Sequence, residues 1–167
     1  YVVNHVLGGG SFSSRLYKEV REKRGLAYTV STALVNLDHA DAFAGGTATR
    51  ADRAGETIGI IKAEIARMGA EGPTEQELAQ AKSYLIGSYA LRFDSSSKIA
   101  RQVLGIMQEG LGIDYVEKRN DKIAAVTIED ARRVAHRLYG EGPNMVVTVG
   151  PEKTKTANAE PAAAPKL

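Results

Sequence analysis

Apolar positions recur through most of this chain with a helical period. Phe12, Leu16 and Val20 stand four apart, which puts them on one stripe and predicts a helix over 13–24. Lys18–Glu22 and Glu19–Lys23 add i,i+4 pairs of opposite sign, and Gly25 supplies a stop. Ahead of that helix, 1–7 is apolar-rich and runs into Gly8-Gly9-Gly10-Ser11. With no cap or turn before it, this segment reads as the end of an element that begins upstream. After Gly25 the period falls to two. Tyr28, Val30, Thr32 and Leu34 alternate and predict a strand over 27–36 with these four on one face. A polar turn, Leu37-Asp38-His39-Ala40-Asp41, leads to a second strand over 42–49. Gly45-Gly46 within it predicts a bulge or a close backbone approach.

The helical period then returns. Ile58, Ile61, Ile65 and Met68 mark an amphipathic helix over 52–69. Gly72-Pro73 breaks the chain, and Thr74 with Glu77 forms a capping box for a helix to about 92. Asp94 with Ser95-Ser96-Ser97 opens the next, with Ile99, Val103 and Met107 as its stripe. Asp114 with Glu117 and Thr127 with Asp130 cap two more, the last with Ile128, Ala131, Val134, Ala135 and Leu138 inward. A third strand is expected over 145–149, and an Ala/Pro/Lys-rich mobile tail over 152–167. The class is α+β: an antiparallel sheet with helices packed on one face. One domain covers 1–151, and at least one further strand is expected from upstream or from a partner.

Composition narrows the function. The 167 residues include 43% hydrophobic and 25% charged positions, and a chain of this size buries about 69% of its unfolded surface. Cysteine is absent, which removes disulfides, thiolate metal sites and thiol nucleophiles, and suits periplasm and cytosol alike. The net charge of +2 is too small to imply a nucleic-acid partner. No apolar run approaches membrane-spanning length, so no membrane partner is expected. His5, His39 and His136 fit neither H-E-x-x-H nor H-x-x-E-H spacing, so no metal is assigned to this chain.

Three features carry candidate chemistry. Gly8-Gly9-Gly10-Ser11 precedes a helix N-terminus, which suits anions, but it lacks P-loop and dinucleotide spacing. It is either a tight backbone turn or a substrate-contacting loop. Ser11, Ser13 and Ser14 lack a nucleophile elbow and read as caps. The helix of Arg15, Lys18, Arg21, Lys23 and Arg24 is basic and, taken alone, is a solvated face. Its continuation, Arg21-Glu22-Lys23-Arg24-Gly25-Leu26-Ala27-Tyr28-Thr29-Val30, changes that reading. With Gly8-Gly9-Gly10-Ser11-Phe12-Ser13-Ser14-Arg15-Leu16 it resembles the C-terminal half of the pitrilysin/insulinase-type zinc metallopeptidases, the family of mitochondrial processing peptidase. The later layout follows that family too, through Gly72-Pro73-Thr74-Glu75-Gln76-Glu77-Leu78 and the Ala81-Lys82 helix to Gly150-Pro151.

The resemblance implies one half of a two-part clamshell that encloses a peptide. The zinc ligands belong to the complementary half, so the zinc-bearing half is expected on the same chain or as a partner subunit, and this chain alone is expected to be inactive. The residues that match the family's reacting pair are Arg21 and Tyr28. Gly8, Gly9, Gly10 and Phe12 match the substrate-contacting loop. The partners implied are a peptide and the zinc-bearing half, and an exposed sheet edge adds self-pairing into a homodimer as a third. Two rival readings remain: a non-catalytic binding or assembly subunit of the same fold, and an unrelated α+β interaction module with a basic helix.

Overall fold

A computed structural model describes residues 1–37, 39–140 and 145–151; the expected tail over 152–167 lies outside the described residues. The chain enters through α1, a short α-helical turn Val2–Asn4 that widens into a π-helical run His5–Gly9. A 3-10 turn, Ser11–Ser13, follows. The next helix, α2, covers 15–22, and its larger part Tyr17–Glu22 is again π-helical. Strands β1 (Ala27–Asn36) and β2 (Asp41–Thr49) pair antiparallel. Five α-helices follow among the described residues: α3 Ala54–Glu71, α4 Glu75–Gly87, α5 Ser96–Gln108, α6 Tyr115–Ala124 and α7 Ile128–Tyr139. This is an α+β fold with its helices gathered about an antiparallel hairpin.

The core forms where α1, α2 and β1 meet α3, α4 and α7. Val3, Leu7, Leu16, Val20, Val30, Met68, Leu85 and Ala135 are buried together. Leu16 and Val20 behave as their spacing requires, whereas Phe12 leaves the stripe. Ser14 is extended (ψ 154°) and receives the Tyr17 N–H on its Oγ at 3.3 Å. The helix therefore starts after Phe12, which stays 69% exposed. Of the two expected ion pairs, Glu19–Lys23 forms, while Lys18–Glu22 does not appear among the described residues. The Thr74/Glu77 capping box is present in both directions, and Thr127 caps α7 by accepting the Asp130 N–H at 3.1 Å. Asp114 does not cap α6. Its own backbone is helical (φ −67°, ψ −10°) rather than extended as a cap needs, and its carboxylate pairs with Lys118 instead.

Four further expectations are corrected. Helix α4 ends at Gly87, and Tyr89–Phe93 forms a separate 3-10 turn. On α5 the expected stripe faces outward: Ile99 and Met107 are exposed, and Ile106 is the buried residue. On α7, Tyr139 takes the inward place expected of Leu138. The segment 145–149 is not a strand, and its Met145, Val147 and Val149 are exposed. It pairs with neither β1 nor β2, and among the described residues the sole ladder is β1–β2.

Gly45 makes the expected close approach, since a Cβ there would stand 3.0 Å from the Ser31 carbonyl oxygen. The bulge lies elsewhere. Ala27 pairs with Thr49 but Val30 with Thr47, so three steps along β1 oppose two along β2. The extra residue falls at Tyr28-Thr29. Ala27 and Val30 are buried while Tyr28 and Thr29 are both exposed. Tyr28 therefore does not share a face with Val30, Thr32 and Leu34: a bulge reverses the alternation and re-aims the side chain before it.

Candidate functional site

The glycine run packs too tightly for side chains. A Cβ on Gly8 would lie 2.4 Å from Thr32 Oγ1, and one on Gly10 would lie 2.6 Å from the His5 carbonyl oxygen. Asn4 holds the run against the strand: its Nδ2 donates to the Thr32 carbonyl at 3.2 Å and its Oδ1 accepts from Thr32 Oγ1 at 2.8 Å. Gly8 is buried, while Gly9 and Gly10 reach the surface. The turn that follows places Ser11 at φ 47°, a left-handed conformation rare outside glycine and frequent near functional sites. It ends in the exposed Phe12.

Helix α2 descends from this loop. Its π-type bonding is visible in Lys23 N–H donating five residues back to the Lys18 carbonyl at 3.0 Å, and such turns concentrate at functional sites. Gly25, at φ +59°, closes the helix, with Leu26 N–H donating to the Val20 carbonyl at 2.9 Å. The chain thus folds back sharply, and the bulge turns Tyr28 outward. The Arg21 guanidinium carbon comes to 4.3 Å from the centre of the Tyr28 ring, and Tyr28 is 77% exposed. The same carbon lies 5.0 Å from the ring centre of Tyr17. Phe12 meets Tyr17 edge-on at 5.0 Å and 80°. The predicted residues Phe12, Arg21 and Tyr28 are therefore brought together, with Tyr17 as the link. Tyr17 was not singled out from the sequence. Its signal was there: it precedes Arg21 by four residues and follows Phe12 by five.

The charges of α2 are sorted unevenly. Arg15 is buried, and its Nε and Nη2 both meet the Glu77 carboxylate at 2.7 Å. Lys23 and Arg24 both pair with Glu19, at 2.5 and 2.6 Å. Arg21 has no carboxylate partner among the described residues. Burial pushes the Glu77 carboxyl up, but hydrogen bonds from Arg15 and Thr74 outweigh it and hold its pKa down at about 2. Burial, with a lesser contribution from the charge of Arg92, lowers the pKa of His5. Its ring stacks on Tyr84 at 5.2 Å, under the glycine run and apart from Arg21. His39 and His136 are exposed. Among the described residues no group of three or more His, Asp or Glu could hold a metal ion, so no zinc chemistry is assigned to these side chains.

Fold and site together define an α+β domain that presents an arginine–tyrosine pair beside a glycine-rich loop. The chain belongs to the peptidase M16 family, whose model described as the peptidase M16 inactive domain matches residues 1–85. It is 33% identical over 161 residues to an uncharacterized zinc protease of Streptomyces coelicolor, covering 94% of this chain and 34% of that protein. It is 29% identical over 130 residues to a non-peptidase homolog of Helicobacter pylori, covering 77% and 30%. Among solved structures it is similar to a peptidase M16 inactive domain from Pseudomonas fluorescens, with 31% identity and a TM-score of 0.73, covering 82% of this chain and 32% of that one. The chain thus spans about a third of the length of the curated relatives it matches. The pitrilysin/insulinase resemblance and the α+β class are borne out.

Proposed function

We propose that this chain is the substrate-binding, catalysis-assisting half of a zinc-dependent endopeptidase. Its complementary half, on the same polypeptide or a partner subunit, carries the zinc ligands. Zinc held there would supply an activated water, and this chain's residues grip and polarise the peptide. Arg21 presents fixed in-plane donors to peptide carbonyls. The Tyr28 hydroxyl donates to the scissile carbonyl oxygen as negative charge builds on it. Gly9, Gly10 and Phe12 form the adjoining wall, with Gly8 beneath them as support. The exposed run of β1 next to the bulge offers backbone groups to an extended peptide. The observation that carries this reading is that, of Arg15, Arg21 and Arg24, Arg21 is the one without a carboxylate partner among the described residues, and it lies over an exposed phenol.

The test is Tyr28→Phe in the complete two-half protein, with peptide cleavage and peptide affinity measured separately. Removing one such donor lowers the rate by roughly 10²–10³. An unchanged kcat overturns the assisting role of Tyr28.

A second reading is a non-catalytic binding subunit of the same fold, favoured by the name of the Helicobacter pylori relative. Under it, the complete zinc-loaded protein binds peptide through Arg21 and cleaves none.

A further inference from the structure

We propose that Tyr17 is a positioning residue. Its buried ring fixes the plane of the Arg21 guanidinium and couples that guanidinium to the Phe12 loop. The inference rests on the proposed role of Arg21 in gripping peptide and extends it to a residue that makes no substrate contact.

An arginine that binds ligand without a carboxylate partner needs some other anchor. Its long side chain samples many rotamers, and each must be lost on binding. The Arg21 guanidinium carbon lies over two rings, 4.3 Å from the centre of Tyr28 and 5.0 Å from that of Tyr17. Tyr28 is largely exposed and cannot serve as a fixed wall. Tyr17 is 9% exposed, rooted in the π-bonded stretch of α2 between the buried Leu16 and Val20. Held against the Tyr17 ring, the guanidinium keeps N–H groups for planar acceptors such as peptide carbonyls. The ring of Tyr17 also meets Phe12, in the T-shaped contact at 5.0 Å. A peptide that presses on Phe12 therefore acts, through one ring, on the group that holds its backbone.

The test uses the complete two-half protein, treated with chelator so that nothing is cleaved, and the affinity of fluorescein-labelled casein peptides. Tyr17→Phe keeps the ring and is expected to bind as the parent does. Tyr17→Leu keeps bulk, loses the ring, and is expected to weaken binding roughly fivefold, the size of a half-buried cation–π contact. Phe12→Ala and Arg21→Lys are expected to be non-additive in the parent and additive in the Tyr17→Leu background. Arginine-labelled NMR of the unsubstituted protein supplies a readout that needs no variant: the Arg21 side-chain protons should be shifted upfield by the flanking rings. Unchanged affinity in Tyr17→Leu, equal loss in Tyr17→Phe, or unshifted Arg21 protons each overturns the inference. If instead Arg21→Ala leaves peptide affinity unchanged, the gripping role of Arg21 itself fails.

Discussion

Glu77 ties the site-bearing helix to the rest of the domain, and its removal can be worked through. Its carboxylate takes both prongs of the buried Arg15 fork and the backbone N–H of Thr74. A carboxyl moved from 4.5 to about 2 corresponds to about 3 kcal/mol of preference for the folded state. A quarter of the Glu77 side chain remains exposed, so solvent screening reduces this to about 2 kcal/mol. Glu77→Gln keeps the shape and one acceptor but discards the charge, leaving the Arg15 guanidinium without its carboxylate. The expected result is a loss of about 2 kcal/mol in urea unfolding at neutral pH. The folded-state pKa lies below the unfolded one, so the parent's advantage is complete above pH 4.5. It shrinks as the pH falls through that value and is gone near pH 2. Unfolding curves of parent and variant at stepped pH between 7 and 2.5 measure it. A gap that stays constant across that range, or is absent at neutral pH, refutes the account.

Other expectations are smaller in scope. Gly8→Ala forces a methyl to within 2.4 Å of Thr32 Oγ1 and should cost about 1–3 kcal/mol by thermal or urea unfolding. Tyr139→Phe removes a buried hydroxyl that has no hydrogen-bond partner among the described residues, and should raise stability by about 1 kcal/mol. Burial pushes the pKa of that phenol up to about 12 from 10. The parent therefore loses stability as the pH rises from 10 towards 12 and its deficit against Tyr139→Phe widens there, and an ultraviolet titration of parent against Tyr139→Phe should show one late-ionising tyrosine.

Much of this architecture was legible because it is local. The Thr74/Glu77 and Thr127/Asp130 caps follow from residue type and spacing, and they form where the spacing puts them. Leu16 and Val20 had to be inward on any helix. What failed depended on neighbours that a one-dimensional pattern does not contain. Segment 145–149 has strand composition but pairs with neither strand of the hairpin. The α5 stripe has helical spacing, yet α5 turns Ile106 inward and leaves Ile99 and Met107 outside. At the site, Arg21, Tyr28 and Phe12 were found through a family likeness. Tyr17 needed three dimensions, because its importance lies in what it touches on each side. The face of Tyr28 was misplaced because strict alternation assumes that no residue is inserted, and one is.

That insertion decides what controls the distance between Arg21 and Tyr28. Two phases meet at the bulge: the end of α2 and the Ala27–Thr49 pair set the chain before it, and pairing from Val30 onward sets the rest. The spare residue absorbs the mismatch. The guanidinium and the phenol therefore belong to one short stretch of chain, set on one side by the helix stop at Gly25 and on the other by the Thr47 and Thr49 hydroxyls, which donate to the carbonyls of Thr29 and Leu26.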